Sequence, residues 1–439
     1  MASIRLEPFE RALVVESPHE SLDRLLAREG VHVERLDAVS DLGTLVDALR
    51  RTRAQVLFKR SRVPVNRELL EACPDLQTVQ LCCIGDDSVD KQACADHGVL
   101  VFNDPVSNGR SVVELAIGHL IALSRRLYET SEAMRAHRWD KSAAGRSEVL
   151  GKRLGIVGLG NIGRQVARVA ESLGLEVAFH DNRLVARAIG EECGWRAADT
   201  LEELFRTCDA VTVHVSAHDA FGHDNAGLLD DVLGLLGADR PEGSPRVFLN
   251  LARGSVHSAE ALLEAVRSGA VRYAAVDVFP EEPAPGAPSW RNPYADEPRI
   301  VCTPHIGAAT EEAQPRIARR VAATQIDHFR YGTMRDCVFA PRARVDVSDR
   351  ARGKVVLAVV HTVSRGTKKA IDDAVYEAEA SNLGSMHLDF DVGIAYDLSV
   401  LDRPLDRDQL ERIADRAREL SHDPRAVLSI RQIRVPPRG

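Results

Sequence analysis

Three polar groups follow short apolar runs late in the chain, each where a strand would end. Arg253 lies in NLARGS, Asp277 in AVDVFPEEP ahead of Glu281 and Glu282, and His305 in TPHIG. These types suit oxidation of an alcohol by hydride transfer, which requires a base for the hydroxyl proton, a cation for a neighbouring carboxylate and a hydride acceptor. Histidine titrates near neutrality, and a carboxylate partner fixes its ring tautomer. Arginine grips a carboxylate with two parallel hydrogen bonds, which lysine cannot do. Taken singly, each residue is ordinary. A histidine after a strand is more often structural, Glu281 and Glu282 suit a solvated loop, and Arg253 suits a surface. Spacing alone does not join them.

The hydride acceptor has its own signal upstream. The stretch 153–168 reads RLGIVGLGNIGRQVAR, which is a strand, a glycine turn and a helix. Gly158 permits the sharp turn, Gly160 lets backbone approach a pyrophosphate, and Gly163 lets helix pack on strand. Asn161 and Ile162 open that helix, whose unpaired N–H groups and positive dipole end suit phosphates. A second strand over 176–180 leads into Asp181, about twenty residues on, where an acid accepts ribose hydroxyls. Asp181 disfavours a 2′-phosphate, so NAD is expected rather than NADP; Arg183 is the one nearby feature pointing the other way.

Around this unit the chain alternates short β-branched runs with helical patterns, which implies parallel sheets covered on both faces. Runs at 12–15, 31–33, 54–58, 78–82 and 99–102 form a first α/β unit ending near Pro105. Its strand-end loops carry Lys59-Arg60-Ser61-Arg62 and Cys83-Ile84-Gly85-Asp86, where open α/β sheets bind ligands. A buried helix is predicted over 107–127, with Ser111 and Glu114 at capping-box spacing. Residues 216–245, with His218 and His223, read as a polar surface insertion. A long helix over 310–331 tolerates Pro315 in its early turns and returns to the first unit, and 335–353 reads as a linker. The tail then reads as strand, helix, two strands (385–392 and 394–400, Gly393 starting the second), helix and strand, a βαββαβ ferredoxin-like unit.

Composition narrows the rest. The chain has 439 residues, a formal charge of −8 and eight cysteines, enough for two or three domains with no concentrated basic face for nucleic acid. No run is long and apolar enough for a bilayer, and the opening MASIRLEPFERALVVES is too polar for a secretory signal. The cysteines lack the spacing of a zinc site or redox pair. Reduced thiols in a cytoplasmic protein without a metal are expected.

NLARGS, AVDVFPEEP and TPHIGAATEEA, in this order after GLGNIG, resemble the D-isomer-specific 2-hydroxyacid dehydrogenase family. The resemblance implies that Arg253 binds the substrate carboxylate, that His305 is the general acid/base and that Glu282, before Pro283, pairs with it. It adds Ala252 and Asp277 to the cofactor residues, Asp277 beside the nicotinamide carboxamide. It implies a Rossmann-type cofactor domain (106–304) inserted in a flavodoxin-like substrate domain (1–105 and 305–334), and a homodimer or homotetramer formed through the helix 111–125. The stretches CIGDDSVD, FNDPVSNGRSVVELAIGHL and WDKSAAGRSEVLGKRLGIVGLGNIG are most similar to the branch that oxidises 3-phospho-D-glycerate. There Arg60, Arg62 and Lys141 supply charge for a phosphate, while Ile84, Gly85 and Asn108 line the substrate site.

The tail (354–439) resembles the ACT-type regulatory domain, which implies an amino-acid effector. Its His-x-Asn-x-Pro-Gly turn is altered, however: His361 and Gly366 remain, Val363 and Arg365 replace Asn and Pro, and Asn382 matches a second ligand position. A structural or oligomerising tail is the competing expectation. Competing functions are reduction of glyoxylate or hydroxypyruvate, which needs no phosphate site, and an NAD-sensing co-regulator on the same fold.

Overall fold

Strands buried on both faces read as continuous apolar runs, and these runs build both halves of the molecule. The computed structural model describes residues 2–36, 39, 41–219, 223–283, 290–341 and 343–437. It divides the chain into two compact units, one made of Met1–Ser107 with Gln314–Gly439 and the other of Asn108–Ala313.

The continuous unit contains seven parallel strands: Arg153–Val157, Glu176–His180, Arg196–Ala197, Ala210–Val213, Val247–Asn250, Tyr273–Val276 and Ile300–Cys302. Numbered in chain order they lie 7-6-5-4-1-2-3 across the sheet, the doubly wound Rossmann arrangement. Because the strands are parallel, the loops carrying Gly158, Asp181, Arg253, Asp277 and His305 all leave from one edge. The helix Gly109–Ser124 has eleven buried residues in this unit and packs against the helix Asn161–Ser172 that follows the glycine loop. It starts later than predicted, and Ser111 is no cap. Asn108 is the N-cap residue, Ser111 Oγ lies 3.0 Å from Thr310 Oγ1, and Glu114 pairs with Arg110 at 2.6 Å.

In the discontinuous unit, the parallel strands Arg11–Val15, His32–Leu36, Val56–Lys59, Thr78–Leu81 and Leu100–Phe102 lie in the order 2-1-3-4-5, the flavodoxin-like order. Asp41, Asn66 and Asp90 cap three of its helices through their side chains. The helix Ala313–Tyr331 closes one face by burying Ile317, Ala318, Val321 and Ala322. A buried polar link fixes it: Gln325 Oε1 accepts from Thr78 Oγ, and Gln325 Nε2 donates to Gln80 Oε1, both at 2.8 Å. His305 belongs to the continuous unit, so the chain returns at Gln314 rather than at residue 305.

The tail elements Val355–Thr362, Thr367–Glu377, Asn382–Asp389, Ile394–Leu401, Arg407–Ser421 and Val427–Arg434 follow one another as β, α, β, β, α, β. The four strands lie 4-1-3-2, and Ser3–Arg5, absent from the sequence reading, adds a fifth strand parallel to the last. The first hairpin strand ends at Asp389 instead of 392, because Gly393, at φ 79°, occupies the turn itself. The segment 335–353 is no linker: Cys337, Phe339, Val345, Val347 and Ala351 are buried in the core that the tail shares with the first sheet. Nor is 216–245 wholly a polar insertion. His223 is exposed and pairs with Asp219, but Leu229, Leu233 and Leu236 enter the core of the continuous unit.

Candidate active site

The glycine loop has the shape its chemistry requires. Gly158 adopts φ 89°, and a Cβ there would meet the His214 carbonyl oxygen at 2.7 Å. A Cβ on Gly163 would come within 2.2 Å of the Gly158 carbonyl oxygen, whereas one on Gly160 would meet nothing within 4 Å. Gly158 and Gly163 are therefore glycine for packing, and Gly160 is glycine beside open space. The helix Asn161–Ser172 starts there with no side-chain cap, so the N–H groups of its first turn suit a pyrophosphate. A dinucleotide fits this cradle.

Asp181 follows the second strand and is buried. Its carboxylate accepts from Leu159 N–H at 2.8 Å and from Arg183 N–H, Nε and Nη2 at 2.9, 2.9 and 2.6 Å. Burial pushes its pKa up, but the hydrogen bonds and charge of Arg183 and the Leu159 N–H outweigh this and hold it below the usual carboxylate range. Arg183 is thus the clasp of Asp181.

Asp277 organises the turn that carries His305. Its Oδ1 accepts from Thr303 Oγ at 2.5 Å and Ile306 N–H at 2.9 Å, its Oδ2 accepts from Gly307 N–H at 2.8 Å, and its main-chain carbonyl accepts from His305 N–H at 2.8 Å. Wrapped in this way, His305 adopts the left-handed conformation at φ 54°, which costs free energy outside glycine. Its ring Nδ1 lies 2.7 Å from Glu282 Oε2. A carboxylate can only accept, so Nδ1 carries the hydrogen and Nε2 presents its lone pair. Of the two adjacent acids, Glu282 is the partner, while the Glu281 carbonyl accepts from Trp290 Nε1. Burial raises the Glu282 pKa, but His305, the Phe279 N–H and Arg253 outweigh it and lower the pKa overall.

Arg253 is set by Asn250, which is buried: Nδ2 donates to the Arg253 carbonyl at 2.9 Å and Oδ1 accepts from Ala252 N–H at 3.0 Å. A Cβ on Gly254 would lie 2.0 Å from the Phe279 carbonyl carbon, so the Arg253 loop rests directly on the backbone leading to Glu282. Arg253, Glu282 and His305 are brought together on one sheet edge.

These loops match the family model described as D-isomer specific 2-hydroxyacid dehydrogenase, NAD binding domain, over residues 117–307. Over the longer span, the chain is 32% identical to D-3-phosphoglycerate dehydrogenase of Haemophilus influenzae, with 88% of this chain and 89% of the relative covered. This chain belongs to the D-isomer specific 2-hydroxyacid dehydrogenase family. The Escherichia coli D-3-phosphoglycerate dehydrogenase is also 32% identical, over 94% of this chain and 96% of its own length. A solved 2-hydroxyacid dehydrogenase from Ketogulonicigenium vulgare superposes with TM-score 0.60 at 25% identity, covering 74% of this chain and 96% of its own. A glyoxylate reductase from Paecilomyes thermophila shares the fold at TM-score 0.64 and 23% identity, covering 76% and 99%. The chain is accordingly an NAD-dependent D-2-hydroxyacid dehydrogenase, and among its described residues no helix is long and apolar enough to cross a membrane.

The remaining residues expected from this dehydrogenase family fall in both units. In the continuous unit, Asn108 is buried at the helix start with Oδ1 unbonded, and Lys141 is exposed on the segment before the glycine strand. In the other unit, the loop 60–63 is pinned by a residue the sequence reading missed. The buried Glu16, at φ 63°, accepts from the N–H groups of Arg60 and Arg62, both at 2.7 Å, and of Val63 at 3.1 Å. Lys59 is structural there, donating to the Arg60 carbonyl and to Ser88 Oγ. The Ile84–Gly85 turn is held by Asn103 Nδ2, which donates to the Ile84 carbonyl at 2.7 Å. Asn250 and Thr303 were also missed. Their role lies in side-chain bonds to loop atoms, which leave no periodic trace.

Proposed function

We propose that this chain oxidises 3-phospho-D-glycerate to 3-phosphohydroxypyruvate with NAD, the step that feeds carbon into serine. The observation that carries the chemistry is the 2.7 Å contact between His305 Nδ1 and Glu282 Oε2, which leaves Nε2 as a base. His305 Nε2 takes the C2 hydroxyl proton, Glu282 stabilises the resulting imidazolium, and Arg253 holds the C1 carboxylate and polarises the C2 oxygen. The glycine loop 158–163 and the first turn of the helix Asn161–Ser172 would hold NAD, which would supply the hydride acceptor. Asp277 acts through His305, as a positioning residue. The assignment of a phosphorylated substrate is supported by the named relatives, D-3-phosphoglycerate dehydrogenases at 32% identity over most of both chains.

The test is NAD reduction at alkaline pH with 3-phosphoglycerate, glycerate, lactate and 2-hydroxyglutarate. Preference for the phosphorylated acid is expected. Turnover of the unphosphorylated acids alone would overturn the substrate and leave the acid–base assignment. His305→Asn tests the latter: asparagine tolerates the left-handed backbone, so the rate should fall roughly 100- to 10,000-fold with NADH still bound. Unchanged turnover would sink the role of His305.

A further inference from the structure

Three neighbouring strands of the tail sheet bring together two histidines and an aspartate that the dehydrogenase chemistry does not use. His387 lies directly opposite Asp397 across one strand pair. Asp397 lies opposite Val359 across the next, and His361 is two residues along from Val359 on the same face. Asp397 and His361 are buried, and the His387 side chain is 40% exposed.

Hydrogen-bond polarity makes this cluster unusual. His361 Nδ1 lies 2.6 Å from the Thr362 carbonyl oxygen and must carry a hydrogen, which in the neutral ring leaves the lone pair on Nε2. That Nε2 lies 2.9 Å from Asp397 Oδ2. His387 has a carboxylate on each side, with Nε2 at 2.9 Å from Asp389 Oδ1 and Nδ1 at 3.1 Å from Asp397 Oδ1. The neutral His361 ring thus turns its lone pair on the Asp397 carboxylate, while a neutral His387 lies between two carboxylates and can donate to only one of them. A positive charge, carried by a ring proton or by a metal ion, relieves this contact, and the spacing of the donor atoms admits the metal ion. One donor atom from each residue falls within 4.8 Å of the others, and a far-side carbonyl or carboxylate on each ring is the second shell that orients metal-bound histidines.

We infer that His361 Nε2, His387 Nδ1 and Asp397 form a site for one divalent transition-metal ion of the zinc class. Two imidazoles favour zinc over calcium or magnesium, which take oxygen donors. The exposed edge of His387 leaves room for water as a further ligand. Lys368 Nζ, 3.4 Å from Asp397 Oδ1 and 3.5 Å from Asp372 Oδ1, opposes a cation and has Asp372 as its other partner.

The test uses the untagged full chain, stripped with chelator and titrated with Zn2+ against a chromophoric competitor. One Zn2+ per chain is expected, with a rise in the melting temperature of the wild type. His387→Gln, at a half-exposed position that keeps the fold, should abolish this binding. Asp389→Asn, which touches no metal, should weaken it roughly 10- to 100-fold. Absence of stoichiometric binding would overturn the site. So would equal affinity in wild type, His387→Gln and Asp389→Asn, since the ion would then sit elsewhere, as on cysteines.

Discussion

Gly160 and Gly163 stand three residues apart in the same loop and should fail for opposite reasons. In Gly163→Ala the new Cβ would sit 2.2 Å from the Gly158 carbonyl oxygen, about 1.1 Å inside an ordinary C···O contact of about 3.3 Å. The obstacle is backbone, so helix and strand must separate by about that much. Overpacking of this kind costs about 3 kcal/mol at its upper end, and the gain in helix propensity returns about 1 kcal/mol, leaving about 2 kcal/mol. For a unit of this size that lowers the melting temperature by roughly 4 to 8 °C. In Gly160→Ala the Cβ meets no protein atom within 4 Å, and φ −76° suits alanine. Stability should then change by less than about 1 kcal/mol, while NAD binding weakens roughly 10- to 100-fold, or about 1.4 to 2.8 kcal/mol. Thermal melting and quenching of intrinsic fluorescence by NADH read the two effects separately. A strongly destabilised Gly160→Ala, or a neutral Gly163→Ala, would refute the division of roles.

Other perturbations follow from the same geometry. Glu282→Gln keeps a hydrogen bond to His305 Nδ1 but removes the negative charge; kcat should fall roughly 10- to 100-fold, with KM for NAD unchanged, read by steady-state kinetics. Asp277→Asn replaces an acceptor oxygen with an N–H donor against the Thr303, Ile306 and Gly307 donors; kcat should fall with the His305 turn disordered, visible as faster amide exchange over 303–307. Asp209, buried, accepts from Arg240, Ser244 and the Arg153 N–H. Burial raises its pKa, but these partners outweigh burial and lower it overall. Its stabilisation is therefore present above the unfolded value of about 3.9 and is lost as pH falls through the lower folded value. Asp209→Asn should cost about 3 kcal/mol at pH 7 and flatten the acid limb of the stability curve, measured by urea unfolding at several pH values.

The parallel strands were legible because burial on both faces removes polar alternation, so Val247–Asn250 and Tyr273–Val276 stand out as runs between helices. The cofactor loop was legible because each glycine answers a local steric demand. The charged groups at strand ends were legible as types, yet their pairing was not, since the choice of Glu282 over Glu281 depends on how the chain turns before Pro283. Asp277 was read through the cofactor, but its carboxylate serves the His305 turn, a long-range backbone relation that no spacing encodes. Glu16 acts 44 to 47 residues away for the same reason. The segment 335–353 misled because its buried residues come as isolated pairs, Cys337 with Phe339 and Val345 with Val347, too short to mark a strand.

The strand Ser3–Arg5 pairs with Ser429–Arg431, and this sets an order for folding on the ribosome. Asn108–Ala313 is one uninterrupted stretch and can complete its sheet while the chain is still emerging. The N-terminal strand emerges first and must wait for its neighbour. At about 5 to 20 residues per second, the 426 residues from Ser3 to Ser429 correspond to roughly 20 to 85 s of synthesis. During that interval the strand's backbone amides exchange with water or meet a chaperone. The cofactor-binding unit can thus complete its sheet before the last pairing of the discontinuous unit is available.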